Sequence, residues 1–319
     1  MKRRIKRGFN LILMMFLAVA LIAGCAKKGD TGTPSGGPEE KKLKVIATTT
    51  MLADLSQVIG KDRVEVKGLM GAGIDPHLYQ ASAGDVTLMQ EADVVVYNGL
   101  HLEGKMGEIF EELASKDKNV ISIENGLDHG KLLMAEDEPN VHDPHIWFDA
   151  SIWKDAAKVV ADGLAAADPD GKDSYEANLA AYLKELDDVD AYIKGRVEEI
   201  PAESRVLVTA HDAFQYFGKA YGIEVQGLQG VSTEAEAGTG DVSALADFIV
   251  ERKIKAIFVE SSVPTKTIEA LQSAVKAKGF EVTIGGELYS DSLGDPGTEH
   301  GTYIGTMKAN IDTIVNALK

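Results

Sequence analysis

The sequence predicts an α/β protein in two halves, each built on a mainly parallel sheet flanked by helices, with one long helix between them. Three observations carry this. Runs of β-forming residues alternate with helical periodicity along most of the chain, the pattern of a parallel α/β layer. One run, Asp93-Val94-Val95-Val96-Tyr97-Asn98, is almost wholly apolar, as expected of a strand covered on both faces. Midway along the chain a helical pattern continues for about seven turns from Asp173 to Ile200. There Tyr175, Leu179, Tyr182, Leu183, Leu186, Val189, Ile193 and Val197 recur at three- and four-residue spacing on one face.

In chain order, Lys44 to Thr49 reads as the first strand and Met51 to Ile59 as a helix. Val64 to Met70 is the next strand, and Gly71-Ala72-Gly73-Ile74 is a loop leading to Asp75-Pro76-His77. Ser82 to Glu91 is a helix with a serine cap. After the apolar strand, Glu103 to Ser115 is helical and Asn119 to Ile123 is a fourth strand. Residues 124–142 form an acidic loop, and a helix runs from about Ser151 to Ala167. Asp168-Pro169-Asp170-Gly171 breaks the pattern before the long helix. The alternation then restarts with a strand from Arg205 to Thr209 and a helix from Ala213 to Tyr221. Strands at Ile223–Leu228, Ala256–Glu260 and Phe280–Ile284 alternate with helices at Asp241–Lys253, Thr265–Lys278 and Thr302–Leu318. The two halves share this organisation without a repeat in the letters.

A chain of 319 residues exceeds a typical single domain, which favours two lobes of ordinary size. Apolar residues at 45% and charged residues at 26% supply ample core for both. The formal charge of −17 argues against nucleic acid as a partner, because phosphates would be repelled. The first residues read as a leader. Lys2, Arg3, Arg4, Lys6 and Arg7 precede an apolar stretch, Leu11 to Ala23, too short for a comfortable membrane span.

That stretch ends Leu21-Ile22-Ala23-Gly24-Cys25, a lipoprotein signal with cleavage before Cys25 and lipid on its sulfur. Cys25 is the only cysteine, so the mature chain has neither disulfide nor free thiol. Removing residues 1–24 takes away five basic residues and no acidic ones, leaving 28 against 50 and a formal −22. Lipid on one cysteine tethers a protein to a membrane without embedding it. Residues 25–42 lack apolar periodicity and read as a flexible tether. The expected organisation is therefore leader 1–24, tether 25–42, first lobe 43–172, linking helix 173–200 and second lobe 201–319.

The chemistry gathers at four positions. In Asp75-Pro76-His77 and again in Asp143-Pro144-His145, a proline stiffens the backbone just before an imidazole. His211 ends a predicted strand, and Asp291 lies in Ser290-Asp291-Ser292 beyond the last one. His77, His211 and Asp291 thus fall at C-terminal ends of strands, where open α/β sheets bind ligands. Three imidazoles and a carboxylate make a complete ligand set for a borderline divalent cation. Each residue also has an ordinary role open to it: turn, helix cap or solvent-facing ring. Trp147 and Phe148 suit a core. Glu260-Ser261-Ser262 ends a strand and either faces the cleft or leaves Ser262 to cap a helix, and His101, His129, His142 and His300 read as loop or packing residues.

With those positions in hand, the chain resembles the TroA-like family, the zinc- and manganese-binding lipoproteins of bacterial ABC importers. The resemblance runs from about Leu43 to Leu318. It is dense in Asp75-Pro76-His77-Leu78-Tyr79, in Asn98-Gly99-Leu100-His101-Leu102-Glu103-Gly104-Lys105 and in Asp143-Pro144-His145-Ile146-Trp147. It is densest in His211-Asp212-Ala213-Phe214, Gly227-Leu228-Gln229-Gly230-Val231-Ser232-Thr233 and Gly285-Gly286-Glu287-Leu288-Tyr289-Ser290-Asp291. The resemblance implies two lobes joined by one rigid helix with the metal site between them. It also implies a monomer held by lipid at the extracytoplasmic face of the cell membrane, passing Zn²⁺ or Mn²⁺ to an ABC transporter permease. His77, His145, His211 and Asp291 match the family's ligand positions. Two departures matter: the loop 124–142 carries only His129 and His142 where many zinc-specific relatives are His-rich, and His211 stands where manganese relatives often have Glu.

Three nitrogens and a carboxylate favour zinc, and manganese stands below zinc in affinity at any such site. A carboxylate binding through both oxygens would add a donor and serve Mn²⁺ better. Affinity is expected to fall as pH drops through roughly 6.5, the ordinary imidazole range. No catalytic activity is expected. The rival readings are a surface-tethered zinc hydrolase, for which the chain lacks a His-Glu-x-x-His pattern, and an adhesin with a structural metal.

Overall fold

The computed structural model describes residues 41–135 and 140–319. The expected leader, the lipidated Cys25 and the tether as far as residue 40 lie outside the described residues. So do residues 136–139 of the acidic loop.

Four parallel strands, β1 (Leu43–Ala47), β2 (Val64–Gly68), β3 (Val94–Tyr97) and β4 (Asn119–Ser122), form the first sheet in the order β2-β1-β3-β4. Side chains of a strand alternate between faces, and β3 shows both faces buried. Val94 and Val96 join one apolar cluster, while Val95 joins another. The connecting helices α1 (Thr50–Gly60), α2 (Ala83–Glu91) and α3 (Gly107–Ser115) cover those faces. Local chemistry starts them: Thr49 accepts from the Leu52 N–H, and Ser82 and Asp85 cap α2 reciprocally. The expected helix at Glu103 begins instead as a 3₁₀ turn at Gly104–Met106 before α3.

Helix α4 (Ala150–Ala167) leads to α5 (Lys172–Val197), whose 26 residues span about 39 Å. Tyr175, Tyr182, Leu186, Val189, Ile193 and Val197 of its periodic face are buried, while Leu179 and Leu183 are only partly so. Helix α5 stops short of Ile200 because Pro201 disfavours helical backbone in the residue before it. It packs against α1 and α4 of the first half and against α9 (Tyr303–Leu318) of the second. One apolar cluster runs unbroken from β1 through α5 to α9.

In the second half β5 (Val206–His211) pairs in parallel with β6 (Glu224–Gln229), and β7 (Ala256–Glu260) with β8 (Thr283–Leu288). Strands β5 and β7 lie side by side. Helices α6 (Gln215–Tyr221), α7 (Thr239–Arg252) and α8 (Lys266–Ala277) connect them.

The last strand departs from expectation. Pairing begins only at Thr283, whose N–H bonds to the Lys255 carbonyl at 2.9 Å, and continues through Gly285-Gly286 to Leu288. Glycines within a strand mark a bulge or a close backbone approach. Here both apply, because the register against β7 shifts at Ile257/Val259 and Gly286 has φ +145°. A Cβ at Gly285 would sit 2.7 Å from the Ala317 Cβ, so the missing side chain lets α9 lie directly on the strand. The later end of β8 brings Asp291 to the rim of the sheet.

Candidate metal centre

Both Asp-Pro-His turns are built the same way. Asp75 Oδ1 accepts from the His77 N–H, and Asp143 Oδ1 from the His145 N–H, each at 2.9 Å. These are side-chain turns preset by the intervening proline. Asp143 Oδ1 also lies 2.7 Å from His145 Nδ1, which turns Nε2 away from it. His211 ends β5, and its N–H donates to Glu260 Oε1 at the end of β7 at 2.8 Å. Asp291 follows β8, with Ser262 Oγ accepting its N–H at 3.4 Å and Ser262 Oγ 2.7 Å from Ser290 Oγ.

The four side chains meet. His145 and His211 are fully buried, Asp291 is 1% exposed and His77 4%. His145 Nε2 lies 3.3 Å from His77 Nε2 and 3.4 Å from His211 Nε2. Asp291 Oδ1 is 3.3 Å from His145 Nε2, while Oδ2 is 3.3 Å from His211 Nε2 and 3.6 Å from His77 Nε2. One donor atom from each residue lies within 4.8 Å of all the others. A cation held tetrahedrally at about 2.0–2.1 Å would have ligand edges of about 3.3–3.4 Å. The separations given above, 3.3–3.6 Å, are close to those edges. Both Asp291 oxygens are otherwise buried without a hydrogen-bond partner, which an apolar setting penalises and a cation would relieve.

Residues 45–317 match the family model described as ZnuA, zinc-uptake complex component A, periplasmic. The chain belongs to the ZnuA family. It is 48% identical over 287 residues to the zinc-binding protein TroA of Treponema pallidum, covering 90% of this chain and 92% of that protein. It is 43% identical over 311 residues to the manganese-binding lipoprotein MntA of Bacillus subtilis, covering 97% and 99% respectively. The solved structure of the periplasmic zinc-binding protein TroA superposes with a TM-score of 0.85 at 48% identity, over 87% of this chain and 99% of that one. The expected resemblance to TroA-like binding proteins and the expected α/β architecture with a long central helix both hold.

In this ZnuA-family chain the cluster is strongly polarised. Burial, opposed by Asp291 and aided by the neighbouring His145 and His211, pushes the His77 imidazole down to about 3, keeping it neutral. Burial also works against a charged His145, yet Asp143 and Asp291 outweigh it and carry that ring up to about 9. His211 is likewise opposed by burial and held well above the ordinary range by Glu260 and Asp291. Burial would raise Asp291, but His211 and His145 hold it well below the usual carboxylate range.

The other histidines stay apart. His129 and His142 face each other with ring centroids 5.4 Å apart in the loop, and His300 Nδ1 meets Tyr289 Oη at 3.1 Å. His101 lines a cavity of about 350 Å³ that reaches His77 and is spanned by the Lys105–Glu234 ion pair at 3.3 Å.

Several supporting residues carried no distinct signal in the sequence beyond the density of their motifs. Asn98 Nδ2 donates to the Pro144 carbonyl at 3.1 Å and so braces the turn of His145. Glu103 is buried beneath it, accepting from Thr48 Oγ1, the Asn98 N–H and the Gly99 N–H. Trp147, read as core, is buried but also donates Nε1 to the Ser290 carbonyl at 3.0 Å, next to Asp291. Glu260, at the end of its strand, lies beside His211 on the cleft side. Across the cleft, Thr233 Oγ1 donates to Asp75 Oδ2 at 2.6 Å and the Gly73 N–H to Ser292 Oγ at 2.8 Å.

Proposed function

We propose that this protein captures one divalent transition-metal ion, Zn²⁺ or Mn²⁺, outside the cytoplasm and delivers it to an ABC transporter permease. His77, His145, His211 and Asp291 are the proposed ligands. The observation that carries the reading is the convergence of three buried Nε2 atoms and an otherwise unpartnered carboxylate at the spacing of a cation's ligand edges. The names of the relatives, zinc-binding protein and manganese-binding lipoprotein, support it. Four protein donors suit capture better than hydrolysis, since catalytic zinc keeps a position open for water.

Asp291 bears on the choice of metal. Its two oxygens address different imidazoles, Oδ1 toward His145 and Oδ2 toward His211 and His77. That makes five donors available, three nitrogen and two oxygen, a set that admits Mn²⁺ while leaving zinc the tighter ligand. Protein purified without added metal is expected to carry about one zinc or manganese ion by elemental analysis. In direct competition zinc should displace manganese. Recovery of no metal, with no uptake of either ion on titration, would remove the proposal.

Helix α5 packs on helices of both halves, so small tilts are expected on release, with the permease disturbing a ligand. The lipid anchor on Cys25 belongs to the same proposal and is supported by the leader pattern and by the lipoprotein name of the Bacillus relative. Cys25→Ala is expected to appear in the culture medium instead of the membrane fraction. Membrane retention of that variant at wild-type levels would refute lipidation at this residue.

A further inference from the structure

Asn310 is 1% exposed in the middle of α9, among the buried Met307, Ile311 and Ile314. Burying an amide is costly unless its groups are hydrogen-bonded, and Asn310 spends its donor and its acceptor on one residue. Its Oδ1 accepts the Tyr289 N–H at 2.9 Å, and its Nδ2 donates to the Tyr289 carbonyl at 2.7 Å. The side chain thus pairs with backbone as a neighbouring strand would, just where β8 stops pairing with β7 at Leu288. Helix α9 comes this close because Gly285 and Gly286 carry no side chain. A Cβ at either would meet Ala317 Cβ at 2.7 Å or Thr313 Cγ2 at 2.6 Å. Asn310, Thr313 and Ala317 share one helix face at three- and four-residue spacing. Beyond Tyr289 the chain is pinned residue by residue. Trp147 Nε1 holds the Ser290 carbonyl, Ser262 Oγ the Asp291 N–H, the Gly73 N–H Ser292 Oγ, and Thr50 Oγ1 the Leu293 N–H.

We infer that Asn310 is a positioning residue for metal binding, holding the end of β8 so that both oxygens of Asp291 reach the cation. Aspartate hangs its carboxylate on a single methylene, so the backbone decides where the two oxygens can go. Asn310 does not touch the metal; it fixes the chain two residues ahead of the side chain that does. Released from Asn310, the end of β8 would leave one oxygen in reach and let the other turn away. Manganese favours oxygen donors and high coordination, whereas zinc is satisfied by four ligands. Asn310 therefore matters more for manganese than for zinc. This inference rests on the proposed function, because it concerns one of the proposed ligands.

Infrared difference spectra of the wild-type protein with and without manganese alone are the first test and need no variant to fold. The carboxylate stretches are expected at the narrow splitting of a group bound through both oxygens, and the wide splitting of one-oxygen binding would overturn the inference. Asn310→Ala is expected to lose about tenfold more manganese affinity than zinc affinity in titrations with each ion alone, the lower end of what a ligand's outer support is worth. Asn310→Asp keeps the acceptor for the Tyr289 N–H but sets a carboxylate oxygen against the Tyr289 carbonyl. It should shift the ratio the same way, and it stands in if the alanine variant does not fold. Ile314→Ala opens a cavity further along α9 and supplies the comparison. Its metal-free stability should fall while its zinc-to-manganese ratio stays that of the wild type. An unchanged ratio in a folded Asn310 variant, or an equal shift in Ile314→Ala, would overturn the inference alone. Wild-type protein that takes up neither ion would instead overturn the proposed function, and this inference with it.

Discussion

His211→Ala is expected to lose zinc affinity by at least a hundredfold and, separately, to destabilise the metal-free protein. The first effect follows from sharing the roughly 10–16 kcal/mol of a four-ligand zinc site among its ligands, about 3 kcal/mol each. The second follows from Glu260. Without the imidazole, its buried carboxylate keeps only the backbone N–H, and breaking a buried pair typically costs about 3–5 kcal/mol. A domain in the middle of the ordinary range, about 10 kcal/mol, still folds after such a loss. His77→Ala makes the control. His77 is an equal donor, but the acid of its turn, Asp75, holds the backbone N–H and turns its other oxygen to Thr233. Removing that ring should cost as much affinity and much less stability. Calorimetric zinc titration and urea unfolding of the two metal-free variants separate the effects. Unchanged affinity in His211→Ala would take His211 out of the site, and equal stability losses would contradict the role given to Glu260.

Three of the four clustered residues carry a local signal in the sequence, while Asp291, in a plain Ser-Asp-Ser turn, stands out only in company with them and with the resemblance. Proline before an imidazole and a polar residue just past an apolar strand are visible in the letters, and the alternation of strand and helix says which ends of the strands share a rim. What supports them is not local. Glu260 closes a strand like any other acidic residue until β5 is seen beside β7, and Asn98 matters only because the Pro144 carbonyl lies above it. Gly285-Gly286 reads as a break when glycine is taken for a strand terminator. Its actual role, admitting α9 against β8, depends on a helix that begins 17 residues later. The long helix was readable in type and face, and its last turn was lost to a proline already in view.

The pH dependence of binding is expected to differ from that of ordinary imidazoles, and the direction follows from the partners. An unperturbed histidine would make affinity fall only below roughly pH 6.5. Here Asp143 and Asp291 raise His145 to about 9 against the pull of burial, and Glu260 and Asp291 likewise hold His211 well above the ordinary range against it. At neutral pH the metal-free cluster therefore holds protons that a cation must displace from Nε2. Zinc affinity should keep climbing between pH 7 and pH 9, about tenfold per unit for each proton released. Metal-free stability should run the other way. A group raised in the folded state contributes stability that is complete below its unfolded value and is lost as pH rises through its folded value. For His145 that window runs from about 6.5 to about 9. His77, pushed down to about 3, is already neutral throughout and adds nothing to either trend in this range. Zinc titrations at pH 7 in buffers of different ionisation enthalpy should report one to two protons released per ion. A flat affinity from pH 7 to 9 with no proton release would mean that the carboxylates beside His145 and His211 do not control those rings.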